Sequence, residues 1–331
     1  MNNETIALID RLVDGWHTGA TPAREDLIAL LELPDECEEV LYLRQRAHAL
    51  TMAQSQGRGY LWAAIGLDFV ACTMNCEFCS LGEKWNIVKD EYEFTFDEIC
   101  AQARIFAAHQ VDYITLRSTE FYEVKRMGEL ARKLREAVPG SYKIFVNIGE
   151  LDVDQASYLH ECGVFGAYHT LRLREGTDTP FDPAVRLATM QAITDSPLKL
   201  ACNIEPVGPE HTAAEIADAI LTLASFDPFI AGAHSRVPVA GTPLGDSVQV
   251  SAEKMAHIIA VARLAYGQAT NAVCYGRPDD LGYASGGNLI CFGMGASPRH
   301  TELLRECEDG SSTEQAQARL HNAGWLLQCD L

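Results

Sequence analysis

The first 58 residues repeat apolar positions at intervals of three and four, the spacing that places side chains on one face of an α-helix. These apolar positions are Ile6, Ile9, Leu12, Val13, Leu27, Leu30 and Leu31. We therefore predict that residues 1–58 form an N-terminal helical extension.

The pattern changes near residue 60, where short β-branched or apolar runs begin to alternate with amphipathic stretches of helical length. Eight runs have the character of strands: 62–70, 113–116, 143–147, 167–173, 199–204, 229–237, 271–274 and 288–292. A capping box formed by Thr95 and Glu98 starts one predicted helix. Further helices are predicted at 154–162, 183–193, 212–224 and 252–266.

Eight alternations of strand and helix predict an α/β protein, a (β/α)8 barrel of the TIM type over residues 59–300. Residues 301–331 are predicted to form a C-terminal helical tail. A doubly wound parallel sheet is the alternative, but no G-x-G-x-x-G sequence follows the first strand.

The composition is that of an acidic globular protein. Of 331 residues, 47% are hydrophobic and 22% are charged, and the formal net charge is −20. This charge repels phosphate backbones and anionic lipid, so neither nucleic acid nor a membrane is a predicted partner. The amino terminus lacks a basic start with a long apolar core, and no uncharged apolar run of about 18 residues occurs, which predicts a cytoplasmic protein. Eleven cysteines in such a chain are expected to be metal ligands or packing residues rather than a disulfide framework.

Three cysteines, Cys72, Cys76 and Cys79, follow the first predicted strand with the spacing C-x3-C-x2-C. Thiolates close together on one loop bind a soft centre, either zinc or an iron–sulfur cluster. A structural zinc site normally has four protein ligands, and no second C-x2-C or H-x3-H follows at finger spacing. Three ligands leave one coordination position open, which favours a cluster. The loop also falls at the carboxyl end of a strand, where barrel active sites lie.

The cysteine run resembles the cluster loop of radical S-adenosylmethionine (SAM) enzymes, including an aromatic residue, Phe78, just before the last cysteine. From residue 60 to Ala296 the chain is similar to the biotin synthase branch of that superfamily, which also contains a hydrogenase maturase and methylornithine synthase. The most similar stretches are 237–244, 259–263 and 288–296. The resemblance implies that the three thiolates hold three irons of a 4Fe-4S cluster and that the fourth iron binds the amino and carboxylate groups of SAM. Phe78 would lie between the cluster and the adenine.

Matching the ends of later strands to the family implies more of a SAM site. Glu120 lies where the superfamily has a Gly-Gly-Glu or Ser-Gly-Glu run, and it would accept a charge-assisted hydrogen bond from the SAM ammonium. A solvated loop carboxylate is the alternative. Asn147 and Gly149 belong to an Asn-Ile-Gly-Glu run that resembles one in the maturase. Gly149 would let the backbone approach the ligand, or simply form a turn.

Two charged residues complete the implied SAM site. Glu175 matches the strand-four acidic position that binds the ribose hydroxyls, for which a two-oxygen acceptor is suited. Arg186 occupies the place of the family arginine that pairs with the SAM carboxylate, and its planar fork suits that partner. Alternatively, Arg172 and Arg174 are salt-bridge partners of Glu175, and Arg186 lies on the surface.

Biotin synthase has a second cluster deeper in the barrel, held by cysteines on strands two, three and five and an arginine on strand seven. Here Cys202 falls on the strand-five cysteine, whereas the strand-three position is Phe145 and the strand-seven position is Ala272. Cys274 lies two residues beyond Ala272 and so points to the same side of its strand, and Cys291 lies on the eighth strand. Cys202, Cys274 and Cys291 are predicted either to hold an auxiliary iron–sulfur cluster or to be packing cysteines.

The resemblance implies an enzyme that cleaves SAM reductively to a 5′-deoxyadenosyl radical, with electrons from a reductant such as flavodoxin or ferredoxin. The first hypothesis is sulfur insertion into a small carboxylate such as dethiobiotin, with the auxiliary cluster as sulfur donor. The second, which the run 147–150 favours, is a single-cluster rearrangement or fragmentation of a small amino-acid-derived substrate. An iron–sulfur scaffold or redox sensor is a third. His234 and Arg277 fall near strand ends and are expected to be structural.

Overall fold

Eight parallel strands close into a barrel in the computed structural model of the chain, which describes residues 2–277, 279–295, 297–302, 304–307 and 312–330. In chain order the strands are β1 Tyr60–Gly66, β2 Asp68–Phe69, β3 Tyr92–Glu93, β4 Tyr113–Arg117, β5 Lys143–Asn147, β6 Gly166–Tyr168, β7 Lys199–Val207, β8 Ile230–Ser235, β9 Ala272–Gly276, β10 Leu289–Gly295 and β11 Leu304–Cys307. The barrel consists of β1 and β4 to β10 in that order, and β1 pairs with β10 to close it. The predicted α/β barrel is confirmed. Ala296, at the end of one family-like stretch, lies outside the described residues.

The inside of the barrel is filled at the starts of its strands. In register, Trp62 of β1 lies opposite Tyr113 of β4 and Cys291 of β10. The inward side chains of the lower layers form one closed cluster: Tyr60, Trp62, Tyr113, Phe145, Ala201, Ile230, Ala272, Cys274 and Leu289. Because this cluster fills the lower barrel, space for a ligand remains at the carboxyl ends of the strands.

The described residues form seven helices after β1: α4 Phe96–Ala108, α5 Val124–Ala137, α6 Val153–Glu161, α7 Pro183–Asp195, α8 Ala213–Ala224, α9 Ala252–Ala265 and α10 Thr313–Asn322. Three helices precede β1: α1 Asn3–Thr18, α2 Arg24–Leu31 and α3 Glu38–Ser55. The capping box predicted at Thr95 and Glu98 is present at the start of α4. The helix α5 is an addition to those predicted from the sequence.

The N-terminal helices pack on the outside of the barrel. α1 begins after Asn2, whose side chain accepts the N–H of Glu4, and it ends at Gly19, whose φ of 75° is left-handed. Trp16 of α1 donates from its indole nitrogen to the carbonyl of Tyr266, just after α9, at 2.7 Å. Every residue of α9 from 255 to 264 is buried, because this helix lies between the barrel and the extension.

The C-terminal segment is not wholly helical, which corrects the prediction for residues 301–331. β11 adds an antiparallel strand beside β10 before α10 begins. Trp325 then packs in the core, and Leu326 forms an isolated bridge with Arg58, beside the start of β1. Among the described helices, none has the length and apolarity that crossing a bilayer requires.

Candidate active site

The cysteine loop follows β2 and is closed by its own backbone. The N–H of Cys72 donates to the carbonyl of Leu81 at 2.6 Å, and the N–H of Glu83 donates to the carbonyl of Cys72 at 3.0 Å. Asn75 adopts a left-handed φ of 50°, and its side-chain oxygen accepts the N–H of Lys84 at 2.9 Å. These bonds fold the segment back on itself and bring its cysteines together.

The three thiols of the loop are free and line one cavity at the carboxyl ends of the strands. Among the described residues, their sulfurs do not all lie within 4.8 Å of one another. Around a single tetrahedral zinc ion, sulfurs lie about 3.8 Å apart. Burial raises the pKa of Cys76 to about 11 and that of Cys79 to about 12, so their thiolate forms need the positive charge of a metal. The donor set therefore fits a three-ligand cluster better than one zinc ion.

Two cavities meet at this loop. The outer cavity, of about 120 Å³, is lined by the three thiols together with Glu120, Asn147, Tyr168, His169, Arg172 and Arg186. The inner cavity, of about 180 Å³, extends into the barrel between Trp62, Arg117, Asn203, Glu205, Cys291 and Arg299. Cys76 and Cys79 line both cavities, so the cysteine loop forms part of their common wall. Phe78, expected near an adenine, faces the inner cavity.

Two local contacts fix the turn that carries Glu120 at the outer cavity. The buried carboxylate of Asp68 accepts the N–H of Thr119 at 2.8 Å and its hydroxyl at 2.6 Å, which fixes the turn after β4. The carbonyl of Glu120 passes so close to Gly149 that a Cβ there would lie 2.2 Å from it. Burial raises the pKa of Glu120 to about 7, and the positive charge of Arg186 acts in the opposite direction. A buried carboxylate of this kind suits a cationic ligand.

Arg186 lies inside the protein, which rules out the surface alternative. Only 2% of it is exposed, and its guanidinium stacks 3.6 Å from the centre of the Phe181 ring. One guanidinium nitrogen lies 2.9 Å from Glu150, and another lies 3.7 Å from Glu120. Its Nε and Nη2 have no hydrogen-bond partner among the described residues, and the side chain lines the outer cavity. The arginine is therefore positioned to bind a carboxylate there.

The sequence reasoning missed a pair behind Arg186, formed by His169 and Glu150. The imidazole Nε2 lies 3.2 Å from the carboxylate, and the hydroxyl of Thr189 donates to the same carboxylate. Burial opposes ionisation of Glu150, but His169, Thr189 and Arg186 together lower its pKa to about 2. Burial also lowers the pKa of His169. The sequence offered one indication of this pair, because His169 directly follows the last residue of β6, at the strand end where barrel active sites lie.

Glu175, expected at a ribose, is not among the residues that line the outer cavity. Its carboxylate accepts the hydroxyl of Thr179 and, at 2.9 Å, the N–H of Arg172. The Nε of Arg186 lies 3.7 Å from this carboxylate, and only 1% of the Glu175 side chain is exposed. Glu175 thus contacts Arg172 and Arg186 on the side away from the outer cavity and helps to hold them in position. Asn147 does line the outer cavity, and its amide donates to the carbonyl of Tyr168 at 3.3 Å.

The cysteines proposed for an auxiliary cluster do not converge. Cys274 belongs to the cluster inside the barrel, and Cys291 lines the inner cavity. Cys202 instead packs in the core between the barrel and the helices, because Ala201 and Asn203 occupy the inward positions of β7. The predicted three-cysteine site is therefore wrong as a set.

The two residues of unassigned role have different surroundings. His234 lines the inner cavity, and its Nε2 lies 3.3 Å from the sulfur of Cys274. Burial, with a smaller effect of Arg299, lowers the pKa of His234 to about 3, so this imidazole is neutral. Arg277 donates to the carbonyl of Val250 at 2.6 Å and contacts Asp279, which agrees with a structural role.

Comparison with known proteins agrees with this geometry. No family model matches the chain. Over 284 residues it is 24% identical to the biotin synthase of Persephonella marina. The alignment covers 83% of this chain and 82% of that protein. The crystal structure of HydG, a maturase of the FeFe-hydrogenase, superposes with a TM-score of 0.80 at 15% identity and covers 98% of this chain and 75% of that one. Methylornithine synthase (PylB) gives a TM-score of 0.76 at 16% identity, over 94% of this chain and 95% of that one.

The chain is a radical SAM enzyme, whose family implies a 4Fe-4S cluster and SAM. Its sequence relationship to the biotin synthase of Persephonella marina is distant, at 24% identity. At 15% and 16% identity, the solved structures of HydG and methylornithine synthase show that the fold is shared.

Proposed function

We propose that this enzyme uses one cluster and SAM to abstract a hydrogen atom from a small molecule in the inner cavity, and that it rearranges or fragments that molecule without a second cluster. The observation that carries the proposal is the common wall formed by Cys76 and Cys79 between the outer and inner cavities. A cofactor held on one side of this wall is in reach of a substrate on the other.

The residues present fit the implied cofactors. Cys72, Cys76 and Cys79 would hold the cluster, and Glu120 and Arg186 would bind the ammonium and the carboxylate of SAM. When bound, this pair of cofactors supplies hydrogen abstraction from an unactivated carbon, driven by one electron from a reductant such as flavodoxin or ferredoxin.

The protein's own contribution is orientation and exclusion of water. The buried Glu120 and Arg186 offer charge-assisted hydrogen bonds that are stronger in a low dielectric than in water. Glu150 compensates Arg186 at 2.9 Å, so binding does not require burial of an unpaired cation. The aromatic cluster below closes the barrel floor and keeps water from entering there.

Sulfur insertion is the second candidate, because the curated relative from Persephonella marina is a biotin synthase. It would need a sulfur donor in the barrel, and of the three cysteines considered only Cys274 and Cys291 face the interior. A donor cluster would therefore depend on these two thiols with other ligands.

Iron counting together with product analysis tests the proposal. After anaerobic reconstitution we expect about four irons per chain, as for one cube, and formation of 5′-deoxyadenosine from SAM under reduction. Cys76→Ala should abolish both, whereas Cys329→Ala, at an exposed thiol, should change neither. Iron that clearly exceeds four and falls in the Cys274→Ala, Cys291→Ala double variant would favour sulfur insertion. Absence of 5′-deoxyadenosine from fully loaded protein would reject both candidates.

A further inference from the structure

We infer that Trp85 is a positioning residue for the metal site: its indole holds the peptide group after Cys76 and thereby sets the potential at which the site is reduced. This inference rests on the proposed function, because it concerns the cysteine loop that serves the same reaction. The spacing of the cysteines did not single out Trp85, which lies six residues beyond Cys79. The contact that brings it back depends on the folded loop.

A short turn after the cysteines carries the indole back to the loop. The residues Glu83–Trp85 form a single 3-10 turn, in which the N–H of Trp85 donates to the carbonyl of Gly82 at 3.1 Å. The N–H of Gly82 in turn donates to the carbonyl of Cys79 at 3.3 Å. Asn86, with a left-handed φ of 52°, ends the turn. Trp85 is therefore tied through Gly82 to the last cysteine of the loop.

The indole of Trp85 reaches the second cysteine. Its Nε1 donates to the carbonyl of Cys76 at 3.3 Å. The ring lies against Gly82, where an added Cβ would be 2.3 Å from Nε1 and 2.5 Å from Cδ1. The φ of Gly82 is −58°, which any residue can adopt, so this position needs glycine for space rather than for backbone conformation. Gly82 thus makes room for the bond between Trp85 and Cys76.

The peptide group between Cys76 and Glu77 is fixed at both ends. Its carbonyl accepts the N–H of Cys79 at 3.0 Å as well as the indole N–H of Trp85, one for each lone pair of the oxygen. Its N–H donates to the carbonyl of Asp178, in the loop between β6 and α7, at 2.9 Å. Three bonds therefore hold the orientation of this peptide dipole beside a thiol of the cysteine loop.

The place of this peptide group makes it relevant to the reduction potential. Cys76 is only 9% exposed, so hydrogen bonds to its carbonyl act in a low dielectric, where they are stronger than in water. The potentials of iron–sulfur sites depend on hydrogen bonds and solvent exposure around the ligands. Reduction adds negative charge, which the carbonyl oxygen opposes and a donor on that oxygen compensates. The indole N–H should therefore make the site easier to reduce.

Redox titration of the reconstituted protein, followed by electron paramagnetic resonance, tests this assignment. Trp85→Phe keeps an aromatic ring but removes the donor. We expect it to lower the equilibrium constant for one-electron reduction at least about threefold, a shift of about 28 mV to more negative potential at about 59 mV per tenfold change. Gly82→Ala should shift the potential in the same direction, because the added Cβ displaces the indole. The double variant should shift it no further than Trp85→Phe does.

Trp16→Phe is the matched control for this titration. It removes an indole donor from another backbone carbonyl, that of Tyr266, in the contact between the N-terminal extension and the outside of the barrel. The reduction potential and the iron content of this variant should equal those of the unmodified enzyme.

An unchanged potential in fully loaded Trp85→Phe would overturn the inference, and so would shifts that add up in the double variant. Loss of iron in Trp85→Phe but not in Trp16→Phe would also overturn it, since the indole would then be needed to retain the cluster rather than to set its potential. Formation of 5′-deoxyadenosine is measured separately with excess dithionite. Failure of the potential test with intact SAM cleavage rejects this inference alone. A shifted potential in Trp85→Phe without SAM cleavage by the unmodified enzyme rejects the proposed function alone.

Discussion

Two carboxylates that approach the same guanidinium have opposite pKa shifts, and the reason lies in their other neighbours. Glu150 accepts hydrogen bonds from His169 and Thr189 and lies beside the positive charge of Arg186, and together these lower its pKa to about 2 in spite of burial. For Glu120, burial is the largest effect and outweighs the positive charge of Arg186, so its pKa rises to about 7. Glu150 therefore holds Arg186 in place, and Glu120 remains available to a cationic ligand.

The close approach at Gly149 predicts a specific loss of SAM binding in Gly149→Ala. The added Cβ would lie 2.2 Å from the carbonyl oxygen of Glu120, so the backbone carrying that carboxylate must shift. Loss of its charge-assisted hydrogen bond should raise the dissociation constant of SAM at least about tenfold. Anaerobic calorimetry on the reconstituted variant measures this.

Gly267→Ala is the matched control for that experiment. Its added Cβ meets nothing nearer than 3.7 Å, in a loop after α9, so SAM affinity should be unchanged. If Gly149→Ala binds SAM as well as this control does, the placement of Glu120 at the ammonium is wrong.

At the scale of the elements, the sequence was sufficient to predict where the barrel strands lie but not which way every side chain on them points. All eight barrel strands were predicted from apolar runs. Whether Cys202 points into the barrel depends on the register of β7, and a shift of one residue reverses its face. The predicted strand 167–173 is too long, because β6 ends at Tyr168 and the residues from there to Glu175 form turns.

The N-terminal extension is joined to the barrel by buried contacts, which predicts that it contributes strongly to stability. Trp16 is 7% exposed, donates to Tyr266, and lies with its ring 4.9 Å from the guanidinium of Arg263 on α9. Trp16→Ala should lower the free energy of unfolding by about 3 to 5 kcal/mol, from lost burial and the cavity left behind. Urea denaturation followed by circular dichroism measures the change.

A surface substitution on the same extension gives the reference for this measurement. Leu41 of α3 is 52% exposed, so Leu41→Ala should change the free energy of unfolding by no more than about 0.5 kcal/mol. Similar values for Trp16→Ala and Leu41→Ala would mean that the extension and the barrel do not form one cooperative unit.

At the scale of the whole molecule, the net negative charge contrasts with the arginines that gather at the two cavities. The net charge is −20, yet four arginines line the inner cavity and Arg186 lines the outer one. The composition alone predicts that the electrostatic potential far from the protein is negative. It does not predict the positive charge at the cavities, because the arginines follow strand ends that are far apart in the chain and meet only when the barrel closes.

This separation of charge predicts how salt affects electron delivery. An acidic flavodoxin or ferredoxin approaching the protein meets the field of its net charge, which acts over about 30 Å at 0.01 M salt and about 8 Å at 0.15 M. The rate of cluster reduction by such a carrier, measured by stopped-flow absorbance, should therefore rise as salt is increased over this range. Reduction by the methyl viologen cation should slow over the same range, since its attraction is screened. A carrier rate that falls with salt would instead mean that a local basic surface guides docking and outweighs the charge of the molecule as a whole.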